Sequence, residues 1–216
     1  MSERHAPYPS RKGRGDVASG SRGAHKMKER LYLFDTTLRD GAQMNGVDFT
    51  VQDKLKIAAL LDDLGVDYVE GGYPGANPTD TELFADERKL NATFTAFGMT
   101  RRPGRSASND PGLVQLLDAK ADAVCFVAKA SDYQVRVALG TTPEENLASI
   151  RDSVRAAKAK GREVLVDCEH FFDGYKEKPE YALACAQAAY DDLKAPATSD
   201  EIALAQAQIK GAQASY

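Results

Sequence analysis

The sequence predicts an α/β fold built from about five parallel strand–helix units. Two observations carry that expectation. From residue 31 a short apolar run, a polar or Gly-rich loop and a segment of helical spacing recur at a period of about 30 residues. Most of the helical segments also open on a residue suited to start a helix. Strands buried on both faces and alternating with helices read as βαβ units, whose right-handed crossovers place the helices outside the sheet. A closed barrel and an open doubly wound sheet both meet that description, and motif content has to separate them.

In chain order, residues 1–29 carry Ser, Gly, Arg and Lys in excess with almost no periodic apolar residue, so they read as a disordered leader. The strand candidates are Leu31 to Phe34, Val66 to Val69, Thr93 to Phe97, Ala123 to Val127 and Glu163 to Val166. The first helix starts at Thr50, with Asp53 completing a box-like cap. It continues through Ile57, Leu60, Leu61 and Leu64 and stops at Gly65. Asn77-Pro78, Asp110-Pro111 and Thr142-Pro143 each set a capping side chain before a proline that suits the first helical position. Glu145 makes Thr142 a second capping box, and Lys178-Pro179 repeats the proline without the good cap. After Tyr190 the pattern is lost. Residues 191–216 read as a divergent tail, in which Glu201 to Gln213 is helical by propensity.

With 28 basic and 32 acidic residues the formal charge is −4, which offers no large basic surface to nucleic acid or anionic lipid. No stretch approaches the roughly 20 apolar residues of a membrane helix, and the N-terminus has no apolar signal core. Cys125, Cys168 and Cys185 are odd in number, lie among apolar neighbours and form no C-x-x-C pair. A cytoplasmic protein acting on small molecules is expected.

In α/β folds function gathers at the C-terminal ends of the strands. The first run is followed by Asp35-Thr36-Thr37-Leu38-Arg39-Asp40-Gly41-Ala42-Gln43. Asp40 can ligate a hard divalent cation, and Arg39 can hold a carboxylate or neutralise a developing oxyanion. A bare R-D-G would equally suit a surface turn with an internal ion pair. Glu70 ends the second run and can orient Arg39; Tyr73 can touch substrate or pack under its loop. Asp167-Cys168-Glu169-His170 closes the fifth run. Lys129, just past the fourth, reads as a solvated loop lysine, with contact to a phosphate or carboxylate as its alternative.

The string D-T-T-L-R-D-G-x-Q after a buried strand resembles the opening signature of a family of acyltransferase and lyase barrels. These include 2-isopropylmalate synthase, homocitrate synthase, citramalate synthase and hydroxymethylglutaryl-CoA lyase. Tyr68 to Pro78, Phe94 to Arg102 and Glu169 to Lys176 look most like the citramalate synthase branch, and the likeness covers residues 30 to 190. It implies an incomplete TIM (β/α)8 barrel of about the first five units. It also implies condensation of acetyl-CoA with pyruvate to citramalate and CoA, with 2-isopropylmalate or homocitrate synthesis, or a non-catalytic barrel fragment, as alternatives.

Carried onto matching positions, Arg39 stabilises the new oxyanion, Glu70 belongs to the active site and Gln43 shapes the pocket. Asp40 is a ligand of a divalent metal, with manganese, magnesium, zinc and cobalt all open. Glu169 is the base that takes the acetyl proton; His170 is its rival, because imidazole as a class titrates near neutrality, and is otherwise a substrate-binding residue with Arg39 and Gln43. Arg101, Arg102 and Arg105 form a basic loop suited to CoA phosphates, while Phe97 and Phe126 are candidates to set acceptor size. The family completes its metal site with an H-x-H pair, whereas this chain has only His5, His25 and His170. Weak metal binding, little turnover and self-association of a truncated or frameshifted barrel are therefore expected. No G-x-G-x-x-G or Walker loop supports a nucleotide-binding module.

Overall fold

The computed structural model describes residues 30–194, and the compact unit within them begins at Tyr32. The leader, the tail beyond Lys194, the Glu201–Gln213 helix, His5 and His25 lie outside the described residues. Strands β1 (Phe34–Asp35), β2 (Tyr68–Gly72), β3 (Thr93–Met99), β4 (Ala123–Lys129) and β5 (Glu163–Glu169) form one sheet. All four pairings are parallel, in the order β1-β2-β3-β4-β5.

That order separates the two architectures left open by the sequence. A doubly wound sheet reverses its strand order at a switch point, whereas a strictly sequential order keeps every crossover on the same side. The sheet is also strongly curved. The Tyr68 hydroxyl on β2 donates to the Glu163 carboxylate on β5 at 2.5 Å, although a flat sheet would place strands three spacings apart at about 14 Å. The result is an open part of a (β/α) barrel.

The strands run further than the apolar sequence suggests. Each of β2 to β5 continues two or three residues past its expected end, so Glu70, Lys129 and Glu169 stand on strands rather than in loops. β1 is the exception: its ladder is only Phe34–Asp35, later and shorter than the apolar run. The helices are α1 (Val51–Leu64), α2 (Pro78–Leu83), α3 (Pro111–Asp118), α4 (Asp132–Val137), α5 (Pro143–Ala159), α6 (Phe171–Glu177) and α7 (Pro179–Lys194). Thr50 and Asp53 form the reciprocal box, and Gly65 closes α1 in the left-handed region at φ 87°. Asn77, Asp110 and Thr142 each accept a backbone N–H at their caps. The second box is not reciprocal: Glu145 turns instead to Arg101 and to the backbone N–H of Gly104. The short α4, capped by Ser131, and α6 have too few turns to show a clear period in sequence.

Alternate strand residues pack outward against the helices. Val69, Phe94, Ala96, Val124 and Phe126 join Leu83, Leu113, Leu116 and Val154 in the main core. Phe126, fully buried there, is therefore a core residue and is not placed to set acceptor size. Close approach needs glycine at two strand positions. A Cβ on Gly71 would lie 2.4 Å from the Phe94 ring, and one on Gly98 would lie 2.4 Å from Leu116. The inward set, including Tyr68, Glu70, Phe97, Lys129, Glu163 and Glu169, is where the polar chemistry gathers.

Candidate functional site

The turn after β1 aims Arg39. The Thr36 carbonyl accepts the N–H groups of Arg39, Asp40 and Gly41 at 3.1, 2.9 and 3.1 Å, and the Asp35 carboxylate accepts that of Thr37 at 2.9 Å. Leu38 is thereby buried completely while Arg39 reaches the mouth of the sheet. There its Nε donates to Glu70 at 2.6 Å, its Nη1 donates to Asp40 at 3.1 Å, and its guanidinium carbon lies 4.0 Å from the centre of the Phe97 ring. Carboxylate and ring hold the cation from two sides.

Glu70 is 1% exposed. Burial pushes its carboxyl above the ordinary carboxylate range; the hydrogen bond and charge of Arg39 pull it down only in part, and Asp167 adds to the rise. Cys125 faces the same carboxylate. Burial, followed by the charges of Glu70 and Asp167, pushes its thiol up to about 12. It is therefore a neutral packing group and not a nucleophile.

A cavity of about 360 Å³ opens beside Arg39, with Gln43, Lys54, Tyr73, Asp80 and Phe97 among its walls. Lys54 on α1 and Asp80 on α2 form a buried ion pair there. Lys54 also donates to the Gly71 carbonyl at 3.0 Å. Asp80 accepts from the Tyr73 N–H and from Asn77 Nδ2, both at 2.9 Å. The sequence reading missed this pair. Its signal was a lysine at position 54, four residues before the buried Ala58 and so on the inner stripe of α1.

The second cluster stands at the ends of β4 and β5. Lys129 and Glu169 are register partners, and the lysine Nζ is ion-paired with Glu169 Oε2. Lys129 is thus a strand residue with a carboxylate partner, which corrects its reading as a solvated loop lysine. Its carbonyl is anchored in turn by the buried Asn146, whose Nδ2 donates to it at 2.9 Å and lies 2.8 Å from the Tyr181 hydroxyl. His170 follows Glu169 in the left-handed region at φ 61°, with Nε2 3.9 Å from Glu169 Oε1. A left-handed histidine is a strained position, which the fold keeps at the mouth.

Other expected residues are placed differently. The Asp40 side chain is exposed and among the described residues is engaged only with Arg39. Among the described residues no group of three or more His, Cys, Asp or Glu is gathered that could hold a metal ion. One carboxylate does not fit an ion that needs several ligands, so no step below is routed through a metal. In the loop expected to meet CoA phosphates, Arg101 is 6% exposed and bound by Glu145 at 2.7 Å and Asp152 at 2.8 Å. Arg105 donates to the Asn109 carbonyl, and Arg102 approaches Asp110 at 4.0 Å.

A family model described as HMGL-like matches residues 30–199. The chain belongs to the HMGL-like family. It is 51% identical over 168 residues to the (R)-citramalate synthase of Streptomyces coelicolor, covering 76% of this chain and 32% of that one. It is 49% identical to the (R)-citramalate synthase of Aquifex aeolicus, with 76% and 31% covered. Against the 2-isopropylmalate synthase of Bradyrhizobium diazoefficiens the identity is 34%, with 81% and 32% covered. The chain thus spans about a third of the length of the curated relatives it matches. Among solved structures, the HMG-CoA lyase of Bacillus subtilis superposes with a TM-score of 0.59 at 19% identity, covering 76% of this chain and 55% of that one. That likeness supports the fold alone. No helix among the described residues is long and apolar enough to cross a membrane.

Proposed function

We propose that the mouth of this partial barrel is the condensation site of a citramalate synthase-like acyltransferase, joining acetyl-CoA to pyruvate. The observation that carries the reading is Arg39, held by Glu70 and stacked on Phe97 beside the 360 Å³ cavity, its Nη2 group without a partner among the described residues. A planar cation fixed in this way suits the carboxylate or the developing oxyanion of a 2-oxo acid. The higher identity to citramalate synthases than to 2-isopropylmalate synthases favours pyruvate as the acceptor.

In this scheme Glu169 takes a proton from the acetyl methyl group of acetyl-CoA, with its Oε2 fixed by Lys129. The resulting enolate carbon forms a bond to C2 of pyruvate while the carbonyl π electrons move onto oxygen, where Arg39 offsets the charge. Protonation of that oxygen and hydrolysis of the thioester give citramalate and CoA. Glu70 positions Arg39, Gln43 lines the acceptor cavity, and His170, 3.9 Å from Glu169, is placed to contact substrate beside the base. A divalent metal at this mouth would be held through Asp40 and would supply polarisation of the oxo acid. Among the described residues Asp40 is not gathered with two further His, Cys, Asp or Glu side chains.

The acceptor reading is tested by calorimetric titration with pyruvate. The chain should bind it, and Arg39→Ala should weaken binding about 10-fold or more, as expected for a charge-assisted hydrogen bond of about 1.5–3 kcal/mol. Equal affinity in the two proteins, or no binding by either, contradicts the reading.

A further inference from the structure

Tyr73 stands between two cavities. The first is the 360 Å³ acceptor cavity beside Arg39 and Phe97. The second, of about 260 Å³, lies between the loop after β3 and helix α5, with Met99, Pro103, Leu113, Leu139 and Asn146 among its walls. Tyr73 is common to both linings. Its place is fixed at three points. Its backbone N–H donates to Asp80 at 2.9 Å, its hydroxyl accepts the Met99 N–H at 3.4 Å, and its ring meets Phe97 edge-on with centroids 5.9 Å apart and planes at 83°. Asp80 is itself clamped by Lys54 from α1, so the backbone under the ring is tied to two helices.

We infer that Tyr73 is a specificity-determining residue: its ring is the partition that closes the acceptor cavity and restricts it to 2-oxo acids with short side chains. The second cavity, where Met99, Pro103, Leu113 and Leu139 stand beside Arg101, Arg102 and Asp110, then lies on the far side, with an apolar wall for a branched aliphatic chain once the ring is gone. An aromatic ring pinned at hydroxyl, edge and backbone cannot swing aside without losing those contacts together. The inference rests on the reading of the first cavity as the 2-oxo acid site.

The test is equilibrium dialysis of the whole chain against radiolabelled pyruvate and radiolabelled 4-methyl-2-oxopentanoate, with and without manganese chloride. The wild type should prefer pyruvate. Tyr73→Ala should move the affinity ratio toward the longer acid by about 10-fold or more, the low end of what a methylene-scale change in a pocket delivers. Tyr73→Phe keeps the ring and should keep the wild-type ratio. An unchanged ratio in a Tyr73→Ala protein that melts cooperatively overturns the inference; should that variant not fold, Tyr73→Leu is judged by the same ratio. Binding of pyruvate with no shift in any variant defeats this inference alone. Failure of the wild type to bind either acid defeats the acceptor reading and the inference with it.

Discussion

Arg39 and Glu70 form a pair in which each residue corrects the other's burial. The guanidinium offsets part of the cost of an enclosed carboxylate, and the carboxylate keeps the guanidinium turned toward the cavity. Because burial raises the Glu70 carboxyl in the folded state, the fold favours its protonated form. Its contribution to stability is therefore complete below the ordinary glutamate value of 4.5 and is lost as pH rises through the raised folded value. Glu70→Gln removes that titration. Urea unfolding at several pH values should show the wild type losing stability relative to Glu70→Gln as pH climbs from 4.5, whereas parallel curves would show that Glu70 does not titrate differently on folding. The contact between Arg39 and Glu70 was legible in sequence because each follows or ends an apolar run at the same end of the sheet. Lys54 and Asp80 were not, since two charges 26 residues apart in sequence declare a shared burial only after α1 and α2 pack. Lys129 escaped for a similar reason: its partner is a register neighbour 40 residues away on the next strand.

At the scale of elements, prolines and capping side chains marked the starts of α2, α3 and α5 because their chemistry is local. Strand lengths were less legible. Apolar runs stop where the inward side chains become polar, yet the ladder continues, so hydrophobicity alone ended β2 to β5 too early. Phe126 shows the related limit. Alternation makes it certain that neighbours face opposite sides, but only packed helices reveal which side is the core. Asn146 joins three elements: it lies on α5, donates to the Lys129 carbonyl at the end of β4 and meets the Tyr181 hydroxyl on α7. Asn146→Ala leaves a buried carbonyl and hydroxyl without that partner and should cost about 1–3 kcal/mol in chemical unfolding. A loss of only a few tenths would show that the three elements hold together without it.

Across the whole molecule, sequential parallel order and strong curvature define part of a barrel, and the family match over residues 30–199 agrees with it. At its mouth the described residues place Arg39 against Glu70 and Glu169 against Lys129, the groups proposed as oxyanion partner and base. Free CoA release from acetyl-CoA and pyruvate, followed with a thiol reagent, should be detectable above the protein-free control and should fall about 10-fold or more in Glu169→Gln. Equal rates in the two proteins would contradict that expectation. The central claim is that this mouth makes the enolate of acetyl-CoA, and it has a direct test that needs no acceptor: mass spectrometry of acetyl-CoA incubated with the chain in deuterium oxide. The account predicts methyl deuteration above the protein-free control and its loss in Glu169→Gln; equal deuteration with the two proteins, or none above the control with the wild type, would contradict it.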